Sequence, residues 1–287
     1  MESTKSIILV ILIIIGVLVL YFAYRRNFKR LTISAVNLTT GAPKTGKTLL
    51  NNELAPRDFK RRHRNWWILT YVFKRKGLEE PLYYTNSAFS FGNLEKILAG
   101  KRKPHRLDRC IVKLTTEHLE RQYRFNYKSV ISITESSLLA DNQDVNNQYR
   151  NAELSLFNKL IGHETRGGVI YYDTQNTKDN HYAIKRVCST YWFIQKSRNF
   201  WLFRVLWVRE MVSEDLGENN FTDDVDTTTR KIIIFRWVYK HYDCYYFSHL
   251  TDDLEVKNDK PKWYDGILDS FNPIYRKIAK KGNRKKC

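Results

Sequence analysis

Hydrophobic positions fall into three regimes along the chain. From Ile7 to Tyr24 the run IILVILIIIGVLVLYFAY carries no charge and a single glycine. As a helix it would be about 27 Å long, close to the thickness of a bilayer hydrocarbon core. It is too long for a cleaved signal peptide, and RRNFKR behind it offers no small-residue cleavage site. The run therefore predicts an N-terminal transmembrane helix.

From residue 31 to about 195 short β-branched runs alternate with helical patterns. LTISAVNLTT (31–40), PLYYTN (81–86), CIVKL (110–114), KSVISITES (128–136) and GGVIYYDTQ (167–175) read as strands. LLNNEL can start a helix, and NLEKILAG is a short helix ending at Gly100. NAELSLFNKLIGHE has a helical apolar face at Leu154, Leu156, Phe157, Leu160 and Ile161, and YAIKRVCS reads as a further short helix. Strands alternating with helices predict an α/β fold with a mostly parallel sheet flanked by helices.

After residue 190 the pattern changes. STYWFIQKS, NFWLFRVLWVREMV and RKIIIFRWVYKHYDCYYF are aromatic and β-branched. They predict antiparallel strands that extend the sheet or form a small β-subdomain. The acidic stretch SEDLGENNFTDDVDTTT is a surface loop between two of them. The expected division is an anchor with a basic flank over 1–30 and an α/β core over 31–195. A β-rich extension follows over 196–275, and a basic tail over 276–287.

Charge changes the picture next. The 287 residues carry 49 Lys+Arg against 30 Asp+Glu, a formal charge of +19. That excess points to nucleic acid or an anionic membrane surface as partner. Residues 57–76, RDFKRRHRNWWILTYVFKRK, mix basic and aromatic side chains. They could grip a nucleic-acid strand or rest on anionic headgroups, and the sequence leaves both open. Arg25, Arg26, Lys29 and Arg30 lie directly behind the apolar run, so the positive-inside rule puts residues 25–287 in the cytoplasm. The four cysteines are widely spaced and form no CxxC, which argues against a zinc or thioredoxin-type site.

The candidate chemistry lies at Gly41, Ala42, Pro43, Lys44, Thr45, Gly46, Lys47, Thr48 and Leu49. Gly41-x4-Gly46-Lys47-Thr48 satisfies GxxxxGK[ST], with a strand pattern before it and a helix pattern after it. Glycines let successive backbone N–H groups face phosphate oxygens, and the helix opening at Lys47 adds its positive end. Lys47 would reach the β- and γ-phosphates of ATP, and the Thr48 hydroxyl would ligate Mg²⁺. Lys47 is expected to face solvent in the empty loop. A hydrolytic acid is needed on a nearby strand, and two strands compete. VISITES ends in Glu135, with Thr134 in the usual Asp position; VIYYDTQ offers Asp173. Glu135 is the preferred base and Mg²⁺-site acid, because Gln175 after the second strand can touch both the γ-phosphate and the attacking water.

In order, GAPKTGKT, YYTN (83–86), ISITES and NKLIGHETRGGVIYYDTQ resemble the zonula occludens toxin-like assembly ATPases of filamentous phages, within the FtsK–HerA class of P-loop motors. The resemblance covers roughly residues 30–195. It implies a RecA-like P-loop NTPase fold, ATP and Mg²⁺ as cofactors, and a homo-oligomeric ring such as a hexamer. It implies viral DNA, single-stranded in filamentous assembly, and phage assembly or coat proteins as partners. The location it implies is the host inner membrane. Glu135 takes the catalytic acid position, Gln175 the sensor position, and Arg166 the place of an arginine finger supplied to a neighbour. Thr134 departs from the family's Asp, and the apolar run precedes the ATPase where phage members carry it behind. Export of a filament and packaging into a capsid both fit, and so does a nucleotide-binding scaffold that translocates nothing. A small-molecule kinase would need neither the anchor nor the charge.

Overall fold

The computed structural model describes residues 10–19, 21–22, 31–114, 118, 123, 125–134, 136, 156–157, 159–160, 163, 165–174, 188, 190–212 and 229–242. Residues 10–19 form helix α1, continued at 21–22. Its large apolar side chains, from Val10 to Phe22, are 48–62% exposed, and none belongs to either core of the domain. Among the described residues no helix is long and apolar enough to cross a membrane.

The domain is built on strands β1 (Val36–Gly41), β2 (Tyr83–Thr85), β3 (Ile111–Lys113), β4 (Val130–Ile133), β5 (Val169–Asp173), β6 (Thr190–Asn199), β7 (Phe203–Val212) and β8 (Thr229–Phe235). They form one sheet in the order β3-β2-β4-β5-β1-β6-β7-β8. The first six of these in spatial order are mutually parallel, and β7 and β8 add on as antiparallel strands. The aromatic C-terminal runs thus extend the sheet. β6 itself is parallel to β1 over Asn37–Gly41, and it crosses the 195/196 boundary expected from sequence.

A parallel sheet needs cover on both faces, which is why its strands read as near-continuous apolar runs. Alternate residues serve opposite cores. Tyr83, Val130, Tyr171 and Trp192 face one cluster with Leu50, Leu54 and Phe59; Tyr84, Ile131, Tyr172 and Tyr191 face the other with Phe125 and Phe157. Leu50, Leu54 and Phe59 belong to helix α2 (Lys47–Trp67), which covers the first face. Pro56 lies inside α2, where it removes a backbone donor. Its neighbours Leu54, Ala55 and Phe59 are almost fully buried, so packing offsets the missing bond. The buried Asp58 carboxylate accepts from Arg61 at 2.5 Å and Arg62 at 2.8 Å. α2 ends in a π-helical turn, Ile68–Val72, where Phe73 N–H bonds the Ile68 carbonyl.

The second cover is only partly described: residues 156–157, 159–160 and 163 are helical, as the apolar face predicts, and YAIKRV lies outside the described residues. A short helix α3 (Leu94–Leu98), capped by Asn93, follows β2. The 3₁₀ turn Arg106–Cys110 precedes β3 and is held by the buried Asp108, which accepts from the N–H groups of Phe91 and His105 and from the Ser90 hydroxyl.

Gly168, just before β5, allows a close crossing of backbones. A Cβ there would lie 2.4 Å from the Ser129 carbonyl oxygen and 2.4 Å from Thr165 Oγ1. Gly168→Ala is therefore expected to destabilise the domain by about 1–3 kcal/mol through overpacking. Gly77→Ala, with nothing within 4 Å, should cost only its backbone strain. Paired thermal melts check the order.

Candidate nucleotide-binding site

The loop between β1 and α2 starts from backbone geometry. Gly41 has φ 149° and Gly46 φ 103°, conformations that side-chain-bearing residues rarely adopt. A Cβ on Gly41 would also meet the Ile194 carbonyl oxygen at 2.8 Å. Lys44 takes a left-handed conformation as well, at φ 62°. Thr45 Oγ1 donates to the Ala42 carbonyl at 2.7 Å and closes the tip of the loop. α2 opens at Lys47, with Gly46 as its cap, so its free N–H groups point at the loop's concave side.

Lys47 departs from its expected place. Its side chain is buried, and Nζ donates to the carbonyls of Gly41 at 2.9 Å and Ala42 at 3.0 Å. The physical reason is local: an ammonium beside two inward-turned loop carbonyls gains charge-assisted hydrogen bonds by folding back. Thr48, one residue into α2, is half-buried. Thr39 Oγ1, on the β1 residue two before Gly41, donates to the Asn51 amide oxygen at 2.6 Å and fixes α2 against the strand.

The competing acid strands are ordered by the sheet. β5 is the direct neighbour of β1, and β4 is the next strand out. Asp173 pairs with Thr39, two residues short of Gly41, and is fully buried. Glu135 and Gln175 lie outside the described residues. Thr134 is described, and its peptide is clamped: its N–H donates to Asn86 Oδ1 at 2.8 Å, and Asn86 Nδ2 donates to its carbonyl at 2.9 Å. Arg166 sits at the other edge of the sheet. It precedes β5, has φ 48°, and its guanidinium is 3.8 Å from the Glu79 carboxylate.

Two residues were missed by sequence reasoning. Asn86 lies within the YYTN run, yet nothing in that run shows that its amide would grip the peptide before Glu135. Arg204 on β7 has no local signature at all. It donates to the Lys44 carbonyl, to Ser197 Oγ at 2.6 Å and to Tyr239 Oη at 3.2 Å. Its guanidinium would lie 3.5 Å from a Cβ on Gly46. The antiparallel extension thus braces the loop from outside.

His63, Glu80 and Cys110 bring a nitrogen, an oxygen and a sulfur within 4.8 Å of one another. Glu80 Oε1 already takes His63 at 2.9 Å, Arg109 at 3.0 Å and Cys110 at 3.4 Å. Burial alone would raise the Glu80 pKa, but the bonds from His63, Arg109 and Cys110 leave it below the ordinary value. Burial, aided by the Glu80 charge, pushes the Cys110 thiol up to about 12. A protonated thiol and a guanidinium on the shared oxygen make this a hydrogen-bonded latch between α2 and the approach to β2.

No protein-family model and no curated protein matches the chain. Among solved structures it is similar to the N-terminal domain of zonular occludens toxin from Neisseria meningitidis, at 13% identity and TM-score 0.39, over 74% of this chain and all of that one. It is similar to the genome packaging NTPase B204 from Sulfolobus turreted icosahedral virus 2 in complex with ATP-gammaS, at 9% identity and TM-score 0.33, over 70% and 98% of the two chains. The third is a KaiC-like protein from the hyperthermophilic archaeon Pyrococcus horikoshii OT3, at 11% identity and TM-score 0.35, over 70% and 88%. The fold assignment rests on this chain's own topology. A parallel sheet with a GxxxxGK[ST] loop joining its central strand to a covering helix is a P-loop NTPase fold.

Arg204→Ala should loosen the loop and weaken nucleotide binding about tenfold, the equivalent of about 1.4 kcal/mol. Ser197→Ala should lose less, since it removes one of three acceptors. Titration with a fluorescent ATP analogue measures both.

Proposed function

We propose that the chain is a membrane-anchored P-loop ATPase that powers viral DNA export or packaging during virion assembly. The observation that carries this reading is the glycine-turned loop between β1 and α2, with Lys47 and Thr48 at the helix start and the ends of β4 and β5 on the same edge of the sheet. The neighbours' names, a toxin domain of the zonular occludens type and a viral genome packaging NTPase, agree with it. The apolar run from Ile7 to Tyr24 and the +19 charge supply the membrane and DNA parts of the reading. The ATPase domain would face the host cytoplasm from the inner membrane.

In this reading the loop N–H groups and the start of α2 cradle the ATP phosphates. Lys47 would exchange its two loop carbonyls for phosphate oxygens. Thr48 and Glu135 are oxygen donors suited to Mg²⁺, which when bound offsets charge on the β- and γ-phosphates. Glu135 follows the last residue of β4 by two positions in the chain and would be the base for the attacking water. Asp173 lies inside the sheet beneath the loop and is fully buried, which suits a base for that water poorly. Asn86 holds the Thr134 peptide, the last described link before Glu135 in the chain. Gln175 follows the last residue of β5 by two positions in the chain and would act as the γ-phosphate sensor. Thr134 in the usual Asp position favours the second reading, a scaffold that binds nucleotide without translocating. Turnover stimulated by single-stranded DNA would support the motor; tight binding without turnover would support the scaffold.

Glu135→Gln is expected to keep nucleotide binding and lose most ATP hydrolysis. Asp173→Asn should hydrolyse closer to the parent rate, once melts show that it is folded. Steady-state ATPase assays on the full chain decide, and the opposite ranking would move the base to Asp173.

A ring would let Arg166 act on a neighbour's γ-phosphate, since its own loop lies at the opposite edge of the sheet. Such a contact is head-to-tail. Arg166→Ala and Lys47→Ala subunits should each be inactive alone, and mixing them should restore part of the activity. Full activity in assembled Arg166→Ala rings would leave the Glu79 pair as its only role.

A further inference from the structure

We propose that the groove along the C-terminal half of α2 docks on anionic phospholipid headgroups, holding the ATPase domain against the bilayer that the N-terminal run enters. This rests on the membrane reading above. The groove is open, about 1210 Å³, and its walls carry Arg57, Lys60, Arg61, Arg64, Arg106 and Arg109. Among the described residues Asp58 is the one carboxylate lining it, and it is already bound by Arg61 and Arg62. Glu53 and Glu80 stand beside Arg57 and Arg109, at 3.9 and 3.0 Å. Cations still outnumber the carboxylates, so the groove attracts a polyanionic surface.

Trp67 lines the groove, and Tyr71 packs on its ring in the π-helical turn that follows. Trp67, Tyr71, Val72 and Phe73 are 48%, 53%, 58% and 67% exposed. Lys74, Arg75 and Lys76 follow directly and are exposed too. An aromatic and aliphatic tip flanked by cations suits the headgroup–acyl boundary, where rings and methyls sink and the charges stay among phosphates.

The position of the groove favours lipid over nucleic acid. Leu31 and Ile33 line it, and they are the first part of the domain after the apolar run. Residues 23–30 separate them from Phe22, a stretch that reaches about 30 Å at most. Four of those eight residues are Arg or Lys. If the run is in the bilayer, the groove is tethered next to its surface, and the headgroups present themselves at high effective concentration. Thr32 N–H is tied to the buried Glu210 carboxylate, so the entry point does not slide along the domain. Val72 also has no ring on which a base could stack. The groove runs along α2 from about 10 to about 30 Å beyond the phosphate loop, so the loop and the far end of the groove lie at opposite ends of the helix.

The test uses the full chain reconstituted into vesicles of phosphatidylcholine alone or with added phosphatidylglycerol. An environment-sensitive fluorescent amino acid replaces Phe73. The chain should float with both vesicle types, and the probe should shift to the blue only with phosphatidylglycerol. High salt should reverse the shift. Arg64→Glu/Arg106→Glu should abolish it without changing flotation. Lys74→Glu/Lys76→Glu, on an exposed segment outside the core, should weaken it in the same way and guards against misfolding of the first variant. A shift that is absent, or equal on both vesicle types, overturns the proposal. A probe silent on anionic vesicles but responsive to a single-stranded oligonucleotide makes the groove a nucleic-acid surface and also overturns it. Failure to float with either vesicle overturns the membrane reading itself and takes the docking with it.

Discussion

The left-handed turns at Gly41 and Gly46 set the rest of the structure. They let β1 end in a tight loop and send α2 back across one face of the sheet. A Cβ at Gly41 would strike the backbone of β6, so loop and sheet extension are fitted to each other at a carbonyl. Once α2 starts there, its free N–H groups must face the loop. Its 21 residues must also reach the opposite edge of the sheet, carrying the basic cluster with them.

The two edges of the sheet consequently hold different chemistry. At the carboxyl edge lie the loop, the clamped Thr134 peptide and the Arg204 brace. At the amino edge lie the entry segment at Leu31, the cationic groove and Arg166. In the proposed membrane-bound ring, the bilayer surface and a neighbour's phosphate loop would both approach that amino edge. They can coexist only if Arg166, which does not line the groove, faces sideways out of the docking surface.

The C-terminal strands are part of the domain's frame. β6 runs parallel to β1 and passes beyond it before turning back into β7. That overhang puts Ser197 and Arg204 beside the loop tip, and the segment after β8 adds Tyr239. Farther down β7, Glu210 accepts from Thr32 N–H at 2.6 Å and pairs with Arg230 at 2.8 Å. The extension therefore grips the domain at both the loop and the chain's point of entry.

Much of this was legible in the sequence because it is local. The phosphate loop is a run of eight residues whose glycines and lysine are each required by backbone geometry or charge. The first five strands announced themselves as short β-branched or apolar runs, and β2, β4 and β5 are buried throughout, as cover on both faces of the sheet demands. What is set by distant residues was not legible. That Lys47 folds back on its own loop depends on the carbonyls of Gly41 and Ala42 turning inward. That Arg204 braces Lys44 depends on β7 pairing with β6, and that Asn86 clamps Thr134 depends on β2 lying beside β4. The basic and aromatic run at 57–76 read equally as a nucleic-acid or a lipid surface. Only the fold put Leu31 and Ile33 in the wall of the same groove, because strand order, not spacing in the chain, decides which side chains meet.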